Sequence, residues 1–228
     1  MQIVGGGRVG GALAARGVGD LIDRERGWER LDGPAGEPVL VATRPDDLAA
    51  VVARVPARRR VDLVFVQNGA IRDHLEALGV GDATRGLLFF AVAARGQDLV
   101  PGGTSPFVGP HAAAVVAAFV RAGIPAEGVA DGAFRDLELE KLLWNSIFGA
   151  LGDELGLPVG AIAAEHRAAV AAKVADLAPG ARRALGATVD DETLIAKLCA
   201  YSASIPEWRA AAREDRWRIG WLRAASAR

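Results

Sequence analysis

"MQIVGGGRVGGALAARG", residues 1–17, decides the fold. Met1 to Val4 is a short apolar run that predicts a strand, and the alanines and leucine of "GALAARG" predict the start of a helix. Between them lies a glycine turn. Gly5, Gly7 and Gly10 carry the G-x-G-x-x-G spacing directly after the strand and directly before the helix, the context a dinucleotide-binding turn requires. Gly5 allows the tight turn, Gly7 lets the backbone approach a pyrophosphate, and Gly10 lets the helix pack closely on the strand. Gly6, Arg8 and Val9 complete the segment, so Gly5 to Gly10 are the candidate cofactor-binding residues, with the phosphates at the helix N-terminus.

The same alternation continues outward. "GDLIDRERG" from Gly19 predicts a second strand ending at Asp23 and Arg24, and "EPVLVATR" from Glu37 a third. "DDLAAVVARV" predicts a helix with Asp46 or Asp47 as its cap. "RVDLVFVQNG" is an apolar, β-rich run read as a buried strand with Asn68 at its carboxyl end. "GLLFFAVAARG" and "SPFVGP" are expected to extend the sheet, with "HAAAVVAAFVRAG" as a covering helix. Strands alternating with helices imply an α/β fold, a doubly wound parallel sheet of the Rossmann type. From Phe134 the chain turns to Ala, Leu and charge in helical spacing, with breaks expected at Gly152, Gly156 to Pro158, Pro179 to Gly180, Gly186 and Pro206. Residues 1–131 are therefore expected to form a dinucleotide-binding domain and residues 132–228 an all-helical one.

Composition limits the partners. The 228 residues carry a formal net charge of -1, which offers no bulk attraction to nucleic acid or anionic lipid. "ARRR" at residues 57–60 reads as a solvated loop. Cys199 is the single cysteine, so neither an intramolecular disulfide nor a thiolate metal site is expected, and His74, His111 and His166 lack ligand spacing. No run approaches the length of a membrane span, and "MQIVGGG" has no basic leader. These features point to the cytoplasm and a small-molecule partner, with a homodimer compatible.

The end of the second strand selects the nucleotide: an acid favours the ribose hydroxyls and an arginine accommodates a 2′-phosphate. Here "DRER" supplies both. Arg24 and Arg26 form a fork for the phosphate, which favours NADP. The span from Arg24 to Pro38 leaves little room for the usual further strand and helix, so the adenosine side is expected to be abbreviated.

Of the 27 basic residues only Lys141, Lys173 and Lys197 are lysine. In "ELEKLLWNSIFGALG", residues 138–152, Lys141 and Asn145 lie one turn apart on one helix face. Leu137, Leu142, Trp144, Ile147 and Phe148 would pack the other faces. A lysine so placed is partly desolvated and lowered in pKa, as suits a proton donor to a developing alkoxide.

The sequence resembles the ketopantoate reductases, or 2-dehydropantoate 2-reductases, along essentially its whole length. "GGGRVG", "VQNG" around Asn68, "KLLWN" from Lys141 and "SASIPEWRAAAREDRWRIG" from Ser202 carry the resemblance. It implies a Rossmann domain binding NADPH, a helical domain closing over it, and reduction of a 2-keto acid to a 2-hydroxy acid, a step of pantothenate biosynthesis. It further implies Lys141 as the catalytic lysine and Glu214 as the catalytic glutamate that binds the substrate hydroxyl. Asn68, after the family's fifth strand, would orient cofactor and substrate. Asn145 would bind substrate, Ser202 would hold its carboxylate, with Ser204 as the neighbouring candidate, and Arg44 would stand where the family has a lysine near the nicotinamide. The chain departs from the family at Gly149, where a second asparagine is common. A dehydrogenase of the same fold acting on another carbonyl or imine, and a non-catalytic NAD(P)-binding protein, are the rival expectations.

Overall fold

The computed structural model describes residues 1–23, 27–213 and 215–227, which divide into two compact units, Met1–Asp131 and Gly132–Arg228. In the first, strand β1 (Gln2–Val4) leads through the glycine turn into helix α1 (Arg8–Ala15), and β2 (Asp20–Ile22) follows. A 3-10 helix over Trp28–Asp32 connects to β3 (Val39–Val41), α2 (Leu48–Arg54) and β4 (Leu63–Phe65). Then come α3 (Arg72–Ala77), β5 (Thr84–Gly86), β6 (Phe90–Ala91), β7 (Val100–Pro101), β8 (Ser105–Val108), α4 (Ala112–Arg121) and β9 (Ala126–Gly128).

Seven strands form one sheet in the order β2-β1-β3-β4-β5-β8-β9. Gln2 aligns with Asp20 on one side and Val39 on the other, both parallel, and only the β5–β8 pairing is antiparallel. The central strands β1, β3 and β4 are buried at every position, as expected where helices cover both faces. Ile3, Leu40, Val64 and Phe107 pack with Leu13 of α1 and with Val115 and Phe119 of α4. The sheet is thus the expected mostly parallel one, with helices on it.

Several local expectations are corrected. β2 is an edge strand, so Asn68 follows the fourth strand of this chain: the outer strand and helix are replaced by the 3-10 turn. Of "GLLFFAVAARG", Phe90–Ala91 leaves the main sheet and pairs with Val100–Pro101 in a separate ribbon. Asp47 precedes α2 without capping it, because a 3-10 turn over Pro45–Asp47 leads into the helix.

"ARRR" is no solvated loop. Arg59 and Asp62 are each 1% exposed and form a 2.6 Å ion pair. The Asp62 carboxylate also accepts from the Gly36 amide at 3.0 and 3.1 Å, and Arg59 donates to the Glu37 carbonyl at 2.8 Å. His111 Nε2 lies 3.1 Å from Asp62. A buried carboxylate needs such a complete set of partners, and here the set pins the segment after the 3-10 turn to the start of β4.

The second unit has helices and no strand among its described residues: most of α5 (Asp131–Leu155), then α6 (Val159–Glu165), α7 (Arg167–Leu185), α8 (Asp191–Ser204) and α9 (Ile219–Ser226). Helix α5 runs through Gly152 and α7 through Pro179, where breaks were expected. Tertiary packing overrides the local signal at both glycines: a Cβ on Gly180 would lie 2.4 Å from the Ala225 carbonyl oxygen, and one on Gly152 2.5 Å from that of Ala210. Gly186, in the left-handed conformation, caps α7 where a break was expected. Among the described residues no single helix is long and apolar enough to cross a membrane.

Candidate active site and cofactor pocket

The glycine turn is held by its neighbours on the sheet. The Gly5 amide donates to the Ile22 carbonyl at 2.9 Å and the Ala42 amide to the Val4 carbonyl at 2.8 Å. Gln67 donates from Nε2 to the carbonyls of Val41 at 2.7 Å and Thr43 at 3.2 Å. The carboxyl ends of β1, β2, β3 and β4 are so tied together. Gly5 has φ 115°, a conformation a side chain would strain. A Cβ on Gly10 would lie 2.0 Å from the Gly5 carbonyl oxygen, so α1 packs on the turn only because that side chain is missing. Around a Cβ on Gly7 there is nothing within 4 Å. A turn closed beneath and open above matches what a pyrophosphate cradle needs.

Over it lies a pocket of about 560 Å³ lined by Gly5, Gly6 and Gly7, by Asp23 and Trp28, by Thr43 and Arg44, and by Asp47, Ala50, Val51 and Arg54, with Arg95 at the margin. Asp47, Ala50, Val51 and Arg54 recur every three or four residues, so one face of α2 forms a wall. Of the residues expected at the cofactor, Gly5, Gly6, Gly7 and Arg44 line this pocket. Arg8 turns aside and donates to the carbonyls of Val92 and Ala93 at 3.4 and 3.2 Å. Val9 packs against the sheet's core. Arg24 lies outside the described residues, as does Arg26. Sequence reasoning missed Trp28, Asp47, Arg54 and Arg95. The spacing on α2 was the signal available for two of them.

Asn68 sits in the bend after β4, followed by Gly69 at φ 147°. Its Oδ1 is buried and has no hydrogen-bond partner among the described residues. A buried acceptor in that state costs about 1 to 3 kcal/mol and marks a place where a donor is missing.

In the second unit Lys141 stands on α5 among buried Leu139, Leu142 and Leu143. The residue is only partly buried, yet its ammonium lies deep enough that burial is the largest influence on it. Burial, reinforced by the Arg218 guanidinium and opposed by Glu140, brings its pKa from 10.5 down to about 7. Asn145 donates from Nδ2 to the Lys141 carbonyl at 2.8 Å, which fixes the amide against the preceding turn. Ser202 is fully buried: its Oγ donates to the Leu198 carbonyl at 2.9 Å and accepts from Trp144 Nε1 at 3.0 Å. Its hydroxyl therefore joins α8 to α5. Ser204 is exposed and donates to the Tyr201 carbonyl at 2.7 Å. Glu214 lies outside the described residues.

Gly149 is explained by what lies against it. A Cβ there would meet the Ala211 carbonyl oxygen at 3.0 Å and the Ala212 nitrogen at 3.1 Å. The segment after α8 is fastened to α5 and to the start of α6: Asp153 accepts from the Ala212 amide at 2.9 Å, and the Val159 amide donates to the Trp208 carbonyl at 2.8 Å. Backbone thus fills the space that an asparagine would occupy.

No family model matches the sequence, and no curated protein matches it. Solved structures do. A PanE/ApbA-family ketopantoate reductase from Ralstonia eutropha JMP134 superposes with a TM-score of 0.70 at 18% identity, over 100% of this chain and 92% of that one. A dimeric ketopantoate reductase from Staphylococcus aureus gives 0.74 at 15% identity, over 99% and 91%. D-mandelate dehydrogenase in complex with NADH gives 0.74 at 14% identity, over 100% and 92%. Identity this low speaks to architecture alone, and on that level the agreement extends over both units: this chain has the fold of the ketopantoate reductases.

Proposed function

We propose that the protein is an NADPH-dependent oxidoreductase that reduces the carbonyl of a small 2-keto acid to a hydroxyl. The observation that carries this is the Lys141 ammonium with its pKa near 7. A general acid works best when its pKa lies near the working pH, because it is then both protonated and ready to give the proton up. Bound NADPH supplies the hydride. Lys141 gives its proton to the carbonyl oxygen and, while charged, stabilises the alkoxide that forms there. The proton lost from Nζ is recovered from solvent. Asn68, whose Oδ1 has no partner among the described residues, orients the ligand, and Asn145 keeps its own Oδ1 for substrate. Glu214 is assigned to the substrate hydroxyl and Ser204, rather than the buried Ser202 whose hydroxyl is engaged by Trp144 and Leu198, to the carboxylate.

The glycine turn supports the dinucleotide, with Gly5 and Gly10 holding its shape and Gly7 leaving room. Arg44 and Arg54 in the pocket support the 2′-phosphate form. Similarity to a dimeric reductase supports a homodimer, and the single cysteine supports a reducing compartment, the cytoplasm. If ketopantoate is the substrate, the reaction is the one that leads to pantothenate. A second reading, the same chemistry on a different 2-keto acid, is favoured by the backbone packed against Gly149. A similar fold also serves a mandelate dehydrogenase.

The test is paired NADPH and NADH oxidation with ketopantoate and a series of simpler 2-keto acids, repeated with Lys141→Ala. The variant is expected to bind NADPH as the wild type does and to lose at least about 100-fold in kcat. Wild-type turnover by the variant would refute the role of Lys141. Turnover of other keto acids with ketopantoate inert selects the second reading, and binding without any turnover selects a non-catalytic nucleotide-binding protein.

A further inference from the structure

The pocket over the glycine turn contains Trp28, which the reading above does not use, beside Arg54. Trp28 Nε1 is buried and has no hydrogen-bond partner among the described residues, although Trp28 lines the pocket. An indole N–H can only donate, so a buried one needs an acceptor from somewhere. Arg54 lies over the same indole, its guanidinium carbon 4.9 Å from the ring centroid. That contact steadies a long side chain without consuming its N–H groups. Among the described residues Arg54 has no carboxylate partner.

Their location identifies the ligand part. The adenosine ribose of a dinucleotide is read beyond the end of the second strand. In this chain that place has no outer strand, and the 3-10 helix that begins with Trp28 stands there instead. Ala50 and Val51, small residues one turn before Arg54 on α2, line the same pocket. The Asp23 carboxylate, directly after β2, lines the same pocket, 3.0 Å from where a Cβ on Gly6 would be.

We infer that Trp28 and Arg54 hold the adenosine end of the dinucleotide, the indole N–H donating to an adenosine acceptor and the Arg54 guanidinium binding the 2′-phosphate. This rests on the dinucleotide reading above and names the residues that select its phosphorylated form. Arg54 thereby serves the role that the sequence suggested for Arg24.

Calorimetric titration of the full chain with 2′-phospho-ADP-ribose and with ADP-ribose tests it, since neither contains nicotinamide and no turnover intervenes. Wild type is expected to prefer the phosphorylated ligand by at least about tenfold, the scale of a charge-assisted pair. Arg54→Gln should abolish the preference and leave ADP-ribose binding within about twofold, while Trp28→Phe should weaken both ligands by about fivefold. Arg54→Lys, which keeps the charge and loses the fork, should fall between, and it remains informative if the glutamine variant melts early. Arg54→Gln with its preference intact, or Trp28→Phe binding both ligands like the wild type, overturns the assignment. A wild type that binds neither ligand overturns the dinucleotide reading along with it. Binding as expected with no keto acid reduced removes the catalytic reading and leaves this one standing.

Discussion

The glycines of the first unit and those of α5 look alike in sequence and do opposite work. At the turn after β1, Gly10 is pressed against the Gly5 carbonyl while Gly7 faces open space. On α5, the positions a side chain would take at Gly149 and Gly152 are instead occupied by the backbone of Ala210 to Ala212. Glycine in a helix costs about 1 kcal/mol relative to alanine, so each set must return something. The first returns open space above the turn, and the second a close backbone-to-helix contact. A missing side chain thus points to a binding site only where the vacated space stays empty.

Substitutions at these positions would break the contrast or sharpen it. Gly10→Ala is expected to have the largest effect, about 3 kcal/mol of lost stability, because its methyl would sit 2.0 Å from a carbonyl oxygen. Urea denaturation measures it, and a loss below about 0.5 kcal/mol would mean the turn yields freely. Gly149→Asn, which restores the residue common in ketopantoate reductases, is expected to cost about 2 kcal/mol by forcing the segment at Ala211 outward. It should bring no gain in kcat/KM with ketopantoate, and an improved enzyme would show that the space is not truly filled.

Lys141→Met tests α5 through pH. The folded-state pKa of Lys141 is lowered to about 7 from an ordinary 10.5, so between those values the unfolded chain holds a proton that the folded one has released. Wild-type stability therefore rises with pH across that window, and the penalty is complete below it. The variant lacks this rise. The difference between pH 6 and pH 10 is expected to be about 1.5 kcal/mol, less than the full shift implies because the side chain is only half-buried. Parallel pH profiles of melting would exclude a buried ammonium. Gly7→Ala should have the smallest effect on folding, within about 0.5 kcal/mol, since Gly7 has an ordinary φ of -74° and open space. NADPH affinity should nonetheless fall about tenfold, read by fluorescence titration, as the methyl intrudes on the phosphate.

The parallel sheet was legible in the sequence because its signals are local. Apolar runs at Gln2–Val4, Val39–Val41 and Leu63–Phe65 are separated by turn residues and helical stretches. What failed depended on distant partners. Arg59 reads as surface charge until Asp62 and the Glu37 carbonyl are placed around it. Pro179 reads as a helix end until the packing of α7 against α9 is seen. β9 was not legible at all, being three residues of Ala, Glu and Gly supported by pairing with β8. Of the proposed site, the glycine turn was readable from spacing alone. The pairing of Trp28 with Arg54 was not, because the two come from separate segments and meet only after folding.

The two margins of the sheet have a consequence for self-association. β2 and β9 are three residues each, and each carries an acid, Asp20 and Glu127. Asp20 is moreover engaged by Arg30 at 2.6 Å. Ladders so short and charged give an incoming chain little to zip onto. Two copies of this molecule would therefore join through side-chain surfaces rather than by fusing their sheets into one, and crowding in a cell would not easily convert it into a fibre.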